Sequence, residues 1–130
     1  MRIEISREFP PDVIRAFRDF LSVCRAPIER ATGQSLAGYT QTIHAMTPGE
    51  IREELKAPEG GGAGYYDPGT GRLAVAPDLT PWRSVEVLCE EMIHSLRPEL
   101  PESIVRGELV GEVLRHATGY DRLPRRPGPP

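Results

Sequence analysis

The sequence contains few of the residues that mark specialised classes of protein. Only 6% of its 130 residues are aromatic, Lys56 is the single lysine, and there are two cysteines. Two cysteines are too few for a disulfide-stapled scaffold. Cys24 and Cys89 each fall in an apolar stretch with helical periodicity, so we expect buried free thiols in a reducing compartment.

Long apolar runs and an excess of positive charge are also missing. No stretch approaches the roughly 20 apolar residues of a membrane-spanning helix, which argues against a membrane partner. The opening residues MRIEISREFPPD contain no apolar segment typical of a signal peptide, so we expect a cytoplasmic protein. A net charge of −3 and a pI near 5.6 argue against a nucleic-acid partner.

The length and the order of patterns predict an α+β fold. A chain of 130 residues suits one core, and we expect residues 1–123 to form a single domain. The Pro/Arg-rich tail, residues 124–130, is predicted to be disordered. Between these limits the patterns predict strand, helix, strand, helix, strand, strand, helix, helix, that is, a small sheet with the last two helices packed below it.

Several boundaries have clear local signals. Thr47 and Thr80 are each followed by a proline, an arrangement typical of a helix start. The first helix is predicted to run from Pro10 to about Ala31, with Pro27 as a potential kink. The stretch KAPEGGGAG, residues 56–64, predicts a flexible loop because consecutive glycines cost much entropy to order.

The stretch CEEMIHSLR, residues 89–97, differs by one residue from a zinc-protease helix. With His in place of Glu90 it would match H-E-x-x-H, in which the two histidines bind zinc and the glutamate activates water. Glu86, Glu90 and His94 are spaced one helical turn apart, so their side chains lie on one side of the predicted helix. On these residues alone, a solvated acidic face with one surface histidine is an equally simple interpretation.

A glutamate at the first ligand position is chemically compatible with a metal site. A carboxylate oxygen binds Zn²⁺ at about the same distance as an imidazole nitrogen. The added negative charge reduces the Lewis acidity of the ion, and a carboxylate-rich site also suits Mn²⁺ or Fe²⁺. We therefore expect Zn²⁺ first, with Mn²⁺ or Fe²⁺ as alternatives.

Residues 64–120 resemble a minimal zincin, and among zincins the gluzincins, in three segments. GYYDPGTGRLAVAP is similar to the turn and edge strand before the active-site helix, and VEVLCEEMIHSLRP to that helix. GELVGEVLRHATGY is similar to the following helix, which supplies a glutamate ligand in gluzincins. The resemblance implies a small zincin-like sheet with an active-site helix and a glutamate helix, a metal-dependent peptidase activity, and a peptide or protein partner.

The same resemblance implies roles for individual residues. Glu90, His94 and Glu112 would be the metal ligands, with Glu91 at the general-base position. The resemblance further assigns an extended substrate to the edge strand. Additional candidates are Glu108 as an alternative ligand, His116 and Tyr120 near the cleft, and, as the substrate-binding strand, Arg72, Leu73, Ala74, Val75 and Ala76.

Two other interpretations remain open at this point. The chain could be a catalytically inactive zincin-like module that binds or regulates a partner through the same groove. Alternatively, Glu91 to His94 satisfies the Glu-x-x-His motif of di-iron helical bundles, which would require four long helices and a second such motif. Oligomeric state cannot be inferred from the sequence.

Overall fold

A computed structural model describes residues 1–55 and 62–117 of the chain. It contains a four-stranded sheet and helices on both faces of it, which confirms a mixed α and β architecture. The strands are β1 (Arg2–Ile5), β2 (Thr40–Ala45), β3 (Gly64–Asp67) and β4 (Arg72–Val75). The helices are α1 (Pro11–Leu21), α2 (Arg25–Thr32), α3 (Pro48–Leu55), α4 (Pro81–Leu96), α5 (Glu102–Ile104) and α6 (Val110–His116), with a π-helical segment (Val105–Leu109) joining the last two.

The sheet has the order β1-β2-β4-β3. Strands β1, β2 and β4 are parallel, whereas β3 runs antiparallel to β4 and forms one edge. The loop between β3 and β4 is a tight turn in which the Gly69 amide donates to the Asp67 side chain and Gly71 adopts a φ of 74°. β4, predicted from sequence as the edge strand, is therefore an interior strand, and that prediction was wrong.

The central helix α4 lies between the sheet and a layer of other helices. It packs against β3 and β4 on one side and against α1, α6 and the π-helical segment on the other. The main core includes Phe17 of α1, Leu73 of β4 and Leu88 of α4, all fully buried. A smaller cluster on the opposite face of the sheet packs Ile51 of α3 against Tyr65 and Ala74.

The first predicted helix is two helices. α1 ends at Leu21, and α2 extends from Arg25 to Thr32 and is followed by Gly33, which adopts the left-handed conformation with a φ of 72°. The break places Pro27 in the first turn of α2, where its missing amide hydrogen leaves no hydrogen bond unmade. A continuous helix would have lacked the bond from residue 27 and forced the proline ring against a carbonyl one turn earlier.

Other predictions about local structure have mixed outcomes. Thr80 caps α4 by accepting a hydrogen bond from the Arg83 amide at 3.2 Å, and Thr47 caps α3 by accepting from the Glu50 amide at 3.2 Å.

Both cysteines are free and fully buried, as expected. The tail 124–130, Tyr120 and most of the glycine-rich stretch, residues 56–61, lie outside the described residues. No helix within the described residues is long and apolar enough to cross a membrane.

Candidate metal site beside the central helix

The two adjacent glutamates of α4 are buried. Glu90 and Glu91 are only 4% and 6% exposed, and they are the charged residues that the structure buries within its described part. α4 packs against the sheet on one side and against other helices on the other, so Glu90 and Glu91 do not lie on a solvent-exposed acidic face. The interpretation as an exposed acidic face was therefore wrong.

Glu90 and His94 meet a third residue that the sequence did not suggest as a ligand. One ligand atom each from Glu90, His94 and Glu102 lie within 4.8 Å of one another. His94 Nε2 is 3.3 Å from Glu102 Oε2, close to the ligand–ligand separation of about 3.3 Å expected around a tetrahedral ion with bonds near 2.0 Å. These three residues, which we call the Glu-His-Glu cluster, come from two elements that meet at the end of α4.

Glu102 reaches the cluster because the chain reverses between α4 and α5. Arg97 ends α4, Pro98 prevents its continuation, and Pro101 precedes the new helix that begins at Glu102. A glutamate at the start of a helix is also favoured by the helix dipole, so its residue type alone does not indicate a ligand. The pair of prolines just after His94 is the signal that could have placed it near the cluster.

The ligand candidates of the last helix lie elsewhere. Glu108 and His116 are exposed and Glu112 is half-buried, and none of them belongs to the Glu-His-Glu cluster or lines its cleft. The structure therefore brings together two of the three predicted ligands, Glu90 and His94, and does not bring Glu112 to them. Tyr120 is outside the described residues.

Arg106 joins the two carboxylates of the cluster. Its Nε atom donates to Glu90 Oε1 at 3.0 Å, and its Nη2 atom lies 3.1 Å from Glu102 Oε1. The Arg106 side chain is 65% exposed while that of Glu90 is 5% exposed, so the guanidinium approaches the cluster from solvent. Arg106 lies in the π-helical segment, a local widening of the helix that often occurs at functional sites.

The carboxyl groups of the cluster have pKa values shifted in opposite directions. Burial, together with a hydrogen bond to Glu102, raises the pKa of Glu90 to about 7. The pKa of Glu102 is lowered because it accepts that hydrogen bond and lies near His94 and Arg106. Opposite shifts of this kind are expected for two close carboxyl groups of which one is buried.

Glu91 lies next to the cluster and is not part of it. Burial raises its pKa to about 8, and the charges of Glu90 and Glu102 contribute to the shift. Its side chain lines the same cleft as the cluster, and a Cβ atom added to Gly64 of β3 would lie 3.4 Å from its Cγ atom. A buried carboxyl group with a raised pKa in a cleft is typical of a general base or acid.

The cleft has a volume of about 420 Å³ and runs between β3 and the end of α4. Gly64, Tyr65 and Tyr66 of β3 form one wall, and Glu90, Glu91 and His94 form the other, with Arg83 and Arg106 also lining it. Because β3 is at the edge of the sheet, it is the strand whose free hydrogen-bonding groups are available beside the cleft. The predicted substrate strand, Arg72–Val75, is hydrogen-bonded on both sides, and Ala76 donates its amide to Ala63 at 2.8 Å.

The donor set of the Glu-His-Glu cluster fits a divalent cation. Two carboxylates and one imidazole are ligands used by Zn²⁺, Mn²⁺ and Fe²⁺. The described residues contain no second group of three such side chains. They also form a mixed sheet, which excludes the four-helix bundle required by the di-iron interpretation.

Comparison of the chain with family models, with curated proteins and with solved structures finds no match. The site therefore has to be interpreted from its own chemistry.

Proposed function

We propose that Glu90, His94 and Glu102 bind a divalent metal ion and that the chain is a metal-dependent hydrolase that cleaves peptides. The observation that carries the proposal is the convergence of three ligand-type atoms within 4.8 Å at the wall of an open cleft. The resemblance of residues 64–120 to zincins supports the reaction class, with Glu102 in place of Glu112 as the third ligand.

The residues around the cluster have distinct roles in this proposal. A bound divalent ion supplies Lewis-acid polarisation of the carbonyl that is attacked. Glu91 takes the proton from the attacking water and delivers it to the leaving amine. Arg106 keeps the carboxylates of Glu90 and Glu102 oriented towards each other through its two ion pairs.

Substrate binding is assigned to β3. An extended peptide adds to the free edge of β3 by backbone hydrogen bonds, which places its carbonyl groups along the cleft beside α4. This binding mode depends little on the side chains of the peptide. It is consistent with an edge strand whose first residue is a glycine.

A second candidate function follows from Arg106. The guanidinium already pairs with Glu90 and Glu102 at 3.0 and 3.1 Å, which is the arrangement expected if the cluster never binds a metal. The chain would then be a binding module that uses the cleft and the edge of β3 to hold an extended partner. Metal binding distinguishes the two candidates.

The first test is calorimetric titration of the metal-free protein with Zn²⁺ and with Mn²⁺. We expect one ion per chain, and we expect Glu102→Gln to weaken binding by about 100-fold or more, since loss of an outer-shell partner alone costs 10–100-fold. Glu112→Gln is the matched control, because it makes the same change on the predicted ligand that lies outside the cluster. Absence of binding, or equal loss in both variants, would refute this metal site.

The second test concerns catalysis by the metal-loaded protein on a mixture of unstructured peptides. We expect Glu91→Gln to reduce the cleavage rate at least 100-fold, in keeping with the contribution of a general base, while metal content is unchanged. Cleavage that persists in Glu91→Gln would remove Glu91 as the base. Metal binding without cleavage by the unaltered protein would refute the proposed hydrolase activity and leave the metal site in place.

A further inference from the structure

Strand β1 is an open edge at the end of the sheet opposite to the cleft. It pairs with β2, and no described strand pairs with its other side. The amides of Arg2 and Ser6 donate to Tyr39 and Ile43 at 2.8 and 3.1 Å, so the even-numbered residues direct their hydrogen-bonding groups towards the sheet. Because this direction alternates along a strand, the backbone groups of Ile3 and Ile5 point to the open side.

A groove lies beside this edge, lined by several apolar side chains together with Glu4, Arg7 and Arg18. Ile3 and Ile5 line it from the strand, and Ile14 and Leu21 line it from α1, all four being partly buried. Met1 also lines it and is 39% exposed, one of two large hydrophobic side chains that are exposed in the described part of the chain. Exposed edges of this kind are usually blunted or covered, because they pair readily with another strand.

The charges of β1 are arranged to match a second copy of the same strand. Arg2 and Glu4 are exposed on the face of the sheet opposite to Ile3 and Ile5, and neither makes an ion pair within the described residues. If two β1 strands pair antiparallel with Ile3 opposite Ile3, then Arg2 of each copy lies opposite Glu4 of the other. Moving the centre by one residue in either direction would place Arg2 opposite Arg2 or Glu4 opposite Glu4, which is repulsive.

We propose that the chain forms a symmetric dimer by antiparallel pairing of β1, with Ile3 of the two copies at the two-fold axis. In this register Ile3 exchanges both of its backbone hydrogen bonds with Ile3 of the second copy. The two Arg–Glu pairs then occupy non-hydrogen-bonded positions, where opposing side chains are closest. On the other face, Met1 of one copy meets Ile5 of the other beside the two grooves, and the two sheets become one continuous sheet.

The pairing involves few residues, so the dimer is expected to be weak. A four-residue strand and its adjoining groove make a small contact, so we expect a Kd on the order of 10 µM. The test is sedimentation equilibrium of the full chain over a wide range of concentrations, with any affinity tag at the C-terminal end so that Met1 is unextended.

Exchanging the charges of Arg2 and Glu4 tests the register in which the two β1 strands pair. Arg2→Glu and Glu4→Arg, made singly, each replace two attractive pairs by two repulsive ones and should weaken dimerisation about tenfold or more. The double variant restores opposite charges and should return to within about threefold of the unaltered protein. Because both side chains are exposed, the variants should have unchanged circular dichroism, and unchanged thermal unfolding at concentrations where the unaltered protein is monomeric.

Glu8→Arg is the matched control. It makes the same change of charge as Glu4→Arg on an exposed residue beyond the end of β1, so it should leave the Kd unchanged. A protein that is monomeric at every concentration overturns the proposal. So does a double variant that dimerises as poorly as the single ones, or a Glu8→Arg variant that dimerises as poorly as Glu4→Arg.

Discussion

Glu91 is ionisable and buried, and it forms no ion pair within the described residues. Its pKa is raised to about 8 from a usual value of 4.5, chiefly by burial. A raised carboxyl pKa means that the folded protein favours the protonated form. The contribution of this residue to stability is therefore fully present below pH 4.5 and is lost as the pH rises towards 8.

We expect Glu91→Gln to stabilise the metal-free protein increasingly between pH 4.5 and pH 8. A shift of about 3.5 pKa units corresponds to at most about 5 kcal/mol, so a gain on the order of a few kcal/mol at pH 8 is expected, and almost none at pH 4.5. Urea unfolding with a chelator present measures it. Glu108→Gln, which makes the same change on an exposed side chain, is the matched control, and equal effects of the two changes would contradict the assignment.

At the scale of residues, the sequence predicts which side chains lie close together when both residues belong to one helix. Glu90 and His94 are four apart, and the regular geometry of a helix is enough to bring them together. The position of Glu102 depends on the direction that the chain takes after Pro98. That direction is set by packing against α4, and no periodic pattern in the sequence indicates it. Whether a glutamate on α4 is buried also depended on how many neighbours cover that helix.

Among the elements, β3 and α4 are in unusually close contact. A Cβ atom on Gly64 would lie 2.5 Å from Cγ1 of Val87 and 2.9 Å from the carbonyl oxygen of Ala74. These distances are far inside van der Waals contact. A glycine at this position is therefore what allows the edge strand to lie against the helix that carries Glu91.

Gly64→Ala should push β3 away from α4 and lower the free energy of unfolding by about 1–3 kcal/mol, as overpacking usually does. Gly111→Ala is the matched control, because a Cβ atom there meets nothing within 4 Å and the residue lies in α6. That change should stabilise the protein by about 0.5–1 kcal/mol. Urea unfolding of both variants gives the comparison, and a Gly64→Ala variant as stable as Gly111→Ala would contradict the close contact.

Local signals predicted the elements better than their arrangement. The caps at Thr47 and Thr80 were correct because each depends on a hydrogen bond within a few residues. The place of a strand within the sheet depends on contacts that are distant along the chain, so β4 was taken for an edge. The π-helical segment had no recognised signal in the sequence.

On the scale of the whole molecule, the two open edges of the sheet are separated by the width of four strands. β3 borders the cleft and β1 borders the groove used in the proposed dimer. Self-association through β1 would therefore leave each cleft accessible at the two outer ends of the joined sheet. The proposed activity and the proposed dimer can for this reason be tested independently.

The reactivity of the two buried cysteines reports on opening of the core. Cys24 and Cys89 are inaccessible to solvent, and burial raises the pKa of the Cys24 thiol to about 12 and that of Cys89 well above its usual value. Since the thiolate is the reactive form, neither sulfur can be alkylated until its surroundings open. The rate at which a thiol reagent modifies Cys24 and Cys89 therefore measures how often the core opens. A cysteine introduced at the surface for labelling will react while these two remain unmodified.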